Sequence, residues 1–156
     1  MIQLSSILIY FLPLSLLTGP FIPDLTISIV SLIFLYLSIS KREWFYYVNT
    51  FSLIFFTFYI YITFRSLFST DVPLSLESSL FYFRFGLFSL AIWHLINNNK
   101  NFLIRFTQFL IVVFIYSLID GTIQYFYNEN LYGIDSSNVR MNLPFSEELI
   151  LGGYLA

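Results

Sequence analysis

The apolar residues of this chain come in long runs rather than in short stripes. Runs approaching roughly 20 residues are what an α-helix needs to cross the hydrocarbon core of a bilayer. A membrane β-barrel would instead alternate apolar and polar residues over short segments, and no such alternation is present. The runs predict about five helices: Ile2 to Leu17, Leu25 to Ser40, Trp44 to Phe68, Ser79 to Ile96 and Phe102 to Phe126. Turn-forming or polar residues separate them. These are Gly19, Pro20, Pro23 and Asp24, then Lys41-Arg42-Glu43, then Ser69-Thr70-Asp71-Val72-Pro73 with Glu77 beyond, then Asn97-Asn98-Asn99-Lys100-Asn101. The first two runs are short for a full span, which little tilt or a place deep in a bundle accommodates.

Residues 127–148 differ in kind. Asn128, Glu129, Asn130, Gly133, Asp135, Ser136, Ser137, Asn138 and Arg140 predict an exposed loop. Pro144-Phe145-Ser146 then leads into Glu147 and Glu148, a good N-cap followed by carboxylates that suit a helix dipole. Residues 149–156 read as the start of a sixth membrane helix. The sequence stops inside that apolar run, where final carbonyls would lie unsatisfied in hydrocarbon. The expectation is therefore the N-terminal part of a longer protein. The fold expected is all-α, a polytopic transmembrane bundle. Residues 1–126 form helices one to five, 127–148 an outer loop and 149–156 the start of a sixth helix. The first run lacks a basic n-region and a small-residue cleavage site, so it reads as an uncleaved helix rather than a secretory signal.

Charge then orients the bundle. Lys41-Arg42 lies in one loop and Lys100 in another, with Arg105 beside it, whereas the loops at Asp24 and at Asp71 to Glu77 carry no Lys or Arg. Basic loops face the cytoplasm. The N-terminus is therefore expected in the cytoplasm and residues 127–148 outside, with Trp44 and Trp93 near the cytoplasmic interface.

Composition supports this picture: 58% of residues are hydrophobic and only 10% charged, against about 25% charged in soluble domains. The aromatic share of 22%, with 20 Phe and 12 Tyr, fits AT-rich coding better than an aromatic cage. Cysteine is absent, which removes disulfides, thiolate metal sites and thiol nucleophiles. A net charge of −2 without clustered Lys and Arg excludes a nucleic-acid partner. No metal-ligand spacing or Gly-rich phosphate loop is present. The one histidine, His94, reads as a satisfied or solvated side chain at the interface.

Ionisable residues at membrane depth carry the candidate chemistry. Arg84 falls about five residues into the fourth helix, roughly 7 Å below its outer end. Such an arginine snorkels, pairs with Asp71 or Glu77, or clamps a phosphate with its planar fork. Arg65, nearer water, has the same readings, with snorkelling favoured. Asp120 and Gln124 are one turn apart and share a helix face; they form a helix–helix hydrogen bond or a substrate-facing stripe. Arg140, Glu147 and Glu148 are solvated charges and caps, or an anion site with a proton-transferring carboxylate.

Three places in the sequence resemble the O-antigen ligase and O-antigen polymerase-like membrane proteins. Asp120-Gly121-Thr122-Ile123-Gln124-Tyr125-Phe126, followed by Asn130-Leu131-Tyr132-Gly133, looks like the segment that ends that family's fifth helix. Arg140, then Phe145-Ser146-Glu147-Glu148 and Leu151-Gly152-Gly153-Tyr154-Leu155, is similar to its Arg, Phe-Gly-Asp-Glu and Leu-Gly-Ser-Tyr-Leu pattern. Ser146, Glu147 and Gly153 stand where Gly, Asp and Ser are usual. Phe83-Arg84-Phe85 resembles its membrane-buried arginine. The resemblance covers about the last half of the chain. It implies a multi-pass bacterial inner-membrane glycosyltransferase that takes a glycan from an undecaprenyl-diphosphate carrier on the periplasmic face. The glycan passes to lipid A-core in ligases and to another glycan in polymerases, without nucleotide sugar or metal. Arg140, Glu147 and Glu148 would be catalytic, and Arg84, Arg65, Asp120 and Gln124 substrate-binding. Further catalytic parts of such enzymes lie in later segments, so this stretch alone is expected to be inactive. A transporter or flippase of lipid-linked oligosaccharide, or a non-catalytic membrane subunit, is the alternative.

Overall fold

Leu, Ile, Phe and Tyr fill the stretches between Pro, Gly and Asn punctuation, and these stretches fold as helices. The computed structural model describes residues 1–127 together with Glu129, Leu131 and Gly133. The elements are α1 (Ile2–Tyr10), α2 (Leu12–Ser15), a 3-10 turn (Leu16–Thr18), α3 (Phe21–Ser40), a 3-10 turn (Trp44–Tyr46), α4 (Thr50–Ser66), α5 (Val72–Phe81), α6 (Phe83–Asn98) and α7 (Phe102–Tyr127). No strand occurs among the described residues. The expected loop 127–148 and sixth helix 149–156 lie outside the described residues, save Tyr127, Glu129, Leu131 and Gly133.

Three helical runs are long and apolar enough to cross a membrane: Phe21–Ser40, Val72–Asn98 and Phe102–Tyr127, with 20, 27 and 26 residues. The five full-length runs expected from the sequence are redrawn accordingly. The first is interrupted where Pro13, lacking an N–H, breaks the ladder after Tyr10. Gly19 then ends the segment at φ 102°, a conformation open to glycine. The second begins earlier than Leu25, because Pro23 and Asp24 sit in the first turn of α3 rather than in a loop. Proline costs nothing there, since first-turn N–H groups have no helical partner. The third begins at Thr50, not Trp44: Asn49 is extended and its side chain accepts from Ser52 N at 2.9 Å, a true N-cap. The fourth begins at Val72, not Ser79, with Pro73 in its first turn.

The chain forms two units. In one, α1 and α2 pack on α7. Tyr10 meets Phe102 and Phe109 at ring separations of 5.5 and 5.9 Å, and Phe11 meets Phe109 at 5.4 Å. In the other, which runs from Ile27 to Asn99, α4, α5 and α6 pack together and α3 joins them through Ser31 and Phe34.

Polarity is distributed inside out. On α7 the buried face is Val113, Ser117, Asp120, Gly121 and Gln124, while Ile111, Val112, Ile115 and Ile119 are exposed. On α3 the buried positions include Thr26, Ser31 and Ser38, with Leu32, Tyr36 and Ile39 exposed. This is the pattern of helices whose surroundings are hydrocarbon, where apolar side chains gain nothing by burial and polar ones do. The buried hydroxyls bond to carbonyls one turn back, as in Ser6 to Ile2 O at 3.1 Å, Thr26 to Ile22 O at 2.8 Å and Ser117 to Val113 O at 3.0 Å.

Candidate functional site

Arg84 stands twelve residues past Val72 and fourteen before Asn98, near the middle of the longest apolar run. At 1.5 Å per residue that is about 18 Å from the helix start, not the 7 Å expected from a start at Ser79. The run is broken two residues earlier. Tyr82 belongs to neither α5 nor α6, and the ladder tightens around it, with Tyr82 N on Ser79 O at 3.2 Å and Phe85 N on Tyr82 O at 3.1 Å. Neither proline nor glycine sits at the break. Instead, hydroxyls from neighbouring helices reach carbonyls on both sides of it. Tyr59 Oη donates to Leu80 O at 3.3 Å. Ser31 Oγ lies 2.9 Å from Arg84 O and 2.7 Å from Ile27 O, so its one proton is shared between them. Side-chain insertion of this kind is a recognised cause of helix breaks. The half-buried Arg84 side chain extends toward α3, where Nη1 donates to Ser28 Oγ at 3.4 Å, and its guanidinium carbon lies 5.2 Å from the Phe85 ring centre. The carboxylates offered as its partners, Asp71 and Glu77, are both exposed.

Arg65 is exposed in the last turn of α4, on the rim of a pocket of about 550 Å³ between α4 and α5. The pocket is lined by serine hydroxyls, tyrosines and a few apolar side chains. Ser75 donates to Ser69 Oγ at 2.7 Å on its wall, and Ser79 donates to Ser66 Oγ at 3.1 Å. A second pocket of about 710 Å³ lies between α4 and α6, with aromatic and aliphatic walls and Asn49 and Ser52 at its edge. There Gly86 lets the helices approach: a Cβ on it would overlap the Phe55 ring.

Asp120 and Gln124 are fully buried, at 0% and 1% exposure. Gln124 Nε2 donates to Asp120 Oδ2 at 2.7 Å, and Leu131 N donates to Oδ1 at 2.9 Å. The shared face expected from the i, i+4 spacing is present. The carboxylate oxygens accept one bond within α7 and one from Leu131 beyond it. Asp120 thus anchors the exit from α7. Arg140, Glu147 and Glu148 lie outside the described residues.

One cluster escaped the sequence. His94 is 2% exposed and its Nδ1 lies 3.2 Å from Glu43 Oε2, without the alignment of a hydrogen bond. The Phe34 and Tyr46 rings stand edge-on to the imidazole at 5.7 and 5.2 Å. Glu43 arrives there through a Schellman ending of α3: Glu43 N bonds Ser38 O at 2.9 Å, and Arg42 N bonds Ile39 O at 3.2 Å with Arg42 at φ 55°. The signal was available. Lys41-Arg42-Glu43 and the Asn97–Asn101 segment are the two basic loops, which the alternation of loops leads one to expect on the same side.

No family model, curated protein or solved structure matches the chain.

Proposed function

We propose that this chain serves a membrane glycosyl transfer of the O-antigen ligase or polymerase type, moving a glycan from an undecaprenyl-diphosphate carrier to a lipid A-core or glycan acceptor. The observation that carries the reading is Arg84, a cation half-buried in the middle of a 27-residue apolar run. An ionisable residue at that depth marks a functional site more often than a structural one, and a guanidinium fork matches the paired oxygens of a diphosphate. In the transfer, the bond between the sugar's anomeric carbon and the diphosphate oxygen breaks. A bond from that carbon to the acceptor hydroxyl forms, and the hydroxyl proton passes to a carboxylate, for which the resemblance nominates Glu147 or Glu148. Charge grows on the departing diphosphate, so arginine donors stabilise the transition state more than the ground state. Arg140 is the second such donor by resemblance, and Arg65, Asp120 and Gln124 belong to the substrate-facing set. In this reading α1–α2 and α4 complete five crossings. The N-terminus is cytoplasmic and residues 127–148 face the periplasm of a bacterial inner membrane.

The test is glycan transfer in cells carrying Arg84→Lys and Arg84→Ala, with membrane levels matched. Loss of one preorganised donor costs on the order of 2–4 kcal/mol, or about 30-fold to 1,000-fold in rate. Lysine keeps the charge but not the fork, so Arg84→Lys is expected to fall nearly as far as Arg84→Ala. Normal transfer by Arg84→Lys would refute the clamp. The break at Tyr82 favours a second reading, since transporters bind cargo at interrupted helices near mid-membrane. A transporter of lipid-linked oligosaccharide would lose translocation in these variants and keep transfer of glycan already outside.

A further inference from the structure

We infer that the pocket between α4 and α5 binds the phosphate of a membrane-lipid headgroup, with Arg65 as its cationic anchor. Its volume of about 550 Å³ lies within the ordinary range for small-ligand sites. Three features define what it accepts. Arg65 on the rim makes no hydrogen bond or ion pair among the described residues, so its fork of donors is uncommitted. Ser69 accepts from Ser75 Oγ at 2.7 Å and from Asp71 N at 3.4 Å, which leaves its own O–H to donate. Among the described residues no carboxylate lines the wall; Asp71 and Glu77 lie on the neighbouring turn and helix, outside the lining. A guanidinium and a hydroxyl donor without an opposing carboxylate select an anion that accepts several hydrogen bonds, and phosphate does so.

The remaining walls say how the phosphate arrives. Tyr61, Phe68 and Leu74 line the pocket and are 62%, 66% and 64% exposed. In a chain whose apolar side chains face hydrocarbon, this opens the pocket sideways toward lipid tails as well as toward water. A phosphate carried on a lipid fits both openings at once. The inference rests on this pocket and stands whether or not the chain serves glycosyl transfer.

The experiment uses the purified chain in phosphatidylcholine nanodiscs doped with phosphatidic acid, with bound lipid read by native mass spectrometry after release. Arg65→Gln is expected to weaken phosphatidic acid retention about tenfold or more, the loss of a charge-assisted contact. Arg65→Lys should retain part of it, and Ser69→Ala should weaken it about threefold. Ser78→Trp enters from an exposed position on the lining and blocks the site by volume, a control for folding in the Arg65 variants. Inorganic phosphate is the competing probe. Displacement of the lipid only at high phosphate supports the headgroup. Phosphate binding that Arg65→Gln abolishes, with no lipid preference, would keep the anion site and overturn the lipid carrier. Equal phosphatidic acid retention by the parent, Arg65→Gln and Ser78→Trp, with unchanged melting, would overturn the proposal.

Discussion

Asp120 offers the sharpest test of how the chain after α7 is held. Its carboxylate has no contact with solvent and meets two donors, Gln124 Nε2 at 2.7 Å and Leu131 N at 2.9 Å. Asp120→Ala removes the acceptor for both. An orphaned buried donor costs about 1–3 kcal/mol, but polar bonds in membrane proteins measure nearer 0.6–1.7 kcal/mol, because other partners are found. Two such losses together give about 2–3 kcal/mol for Asp120→Ala. Asp120→Asn keeps one carbonyl oxygen for Leu131 N, and its new amide can face the Gln124 oxygen once that amide turns over, so about 1 kcal/mol is expected. The assay is unfolding of the detergent-solubilised chain, followed by hydrogen exchange at the Leu131 amide. Asp120→Ala should speed that exchange far more than Asp120→Asn. If the two substitutions destabilise equally, or if Leu131 exchange ignores both, the anchoring role is wrong.

Three further outcomes are expected. Gly86→Leu should destabilise the unit from Ile27 to Asn99 by about 1–3 kcal/mol through overpacking against Phe55, and the Phe55→Ala background should recover part of the loss in a double-mutant cycle; additive losses would show that the contact is not tight. Glu43→Ala and His94→Phe should couple by about 0.5–2 kcal/mol in unfolding measurements, because the two side chains meet at 3.2 Å, and coupling below about 0.3 kcal/mol would make the pair incidental. Reporter fusions should give cytoplasmic activity at Asn99 and periplasmic alkaline phosphatase activity at Ser137; the reverse pattern would invert the topology.

The helices were legible where punctuation is strong. α7 differs from its predicted span by one residue, because an Asn and Lys cluster precedes it and its apolar run is unbroken. The starts of α3 and α5 were misplaced for one reason. Pro23 and Pro73 were read as breakers, although proline in a first turn begins a helix as readily as it ends one. The start of α4 was hidden because Asn49 sits among aromatic residues, yet its cap to Ser52 has the spacing of an ordinary N-terminal signal. Of the candidate site, the Asp120–Gln124 pair was readable from the i, i+4 rule. The bond to Leu131 was not, since its partners stand eleven residues apart. Arg84 was found by type, but its depth followed the error in the helix start. His94 was dismissed as a lone histidine because nothing local to it shows Glu43, 51 residues away in sequence.

The break at Tyr82 shows why polar groups decide this fold. Against hydrocarbon, exchanging a Leu–lipid contact for a Leu–Leu contact changes little, so apolar burial scarcely distinguishes one packing from another. A polar group is different, because the surrounding lipid offers it no partner and each unsatisfied group costs several kcal/mol. Tyr59 and Ser31 supply hydroxyls to Leu80 O and Arg84 O, from α4 and from α3. These two bonds tie α3 and α4 to α5–α6 on either side of the break. Ser28, one turn before Ser31 on α3, receives the Arg84 guanidinium. The same helix face thus holds the backbone carbonyl of Arg84 and directs its side chain. That coupling makes the orientation of Arg84 a consequence of packing between α3 and α6, and it fixes where a cation is presented within an apolar run.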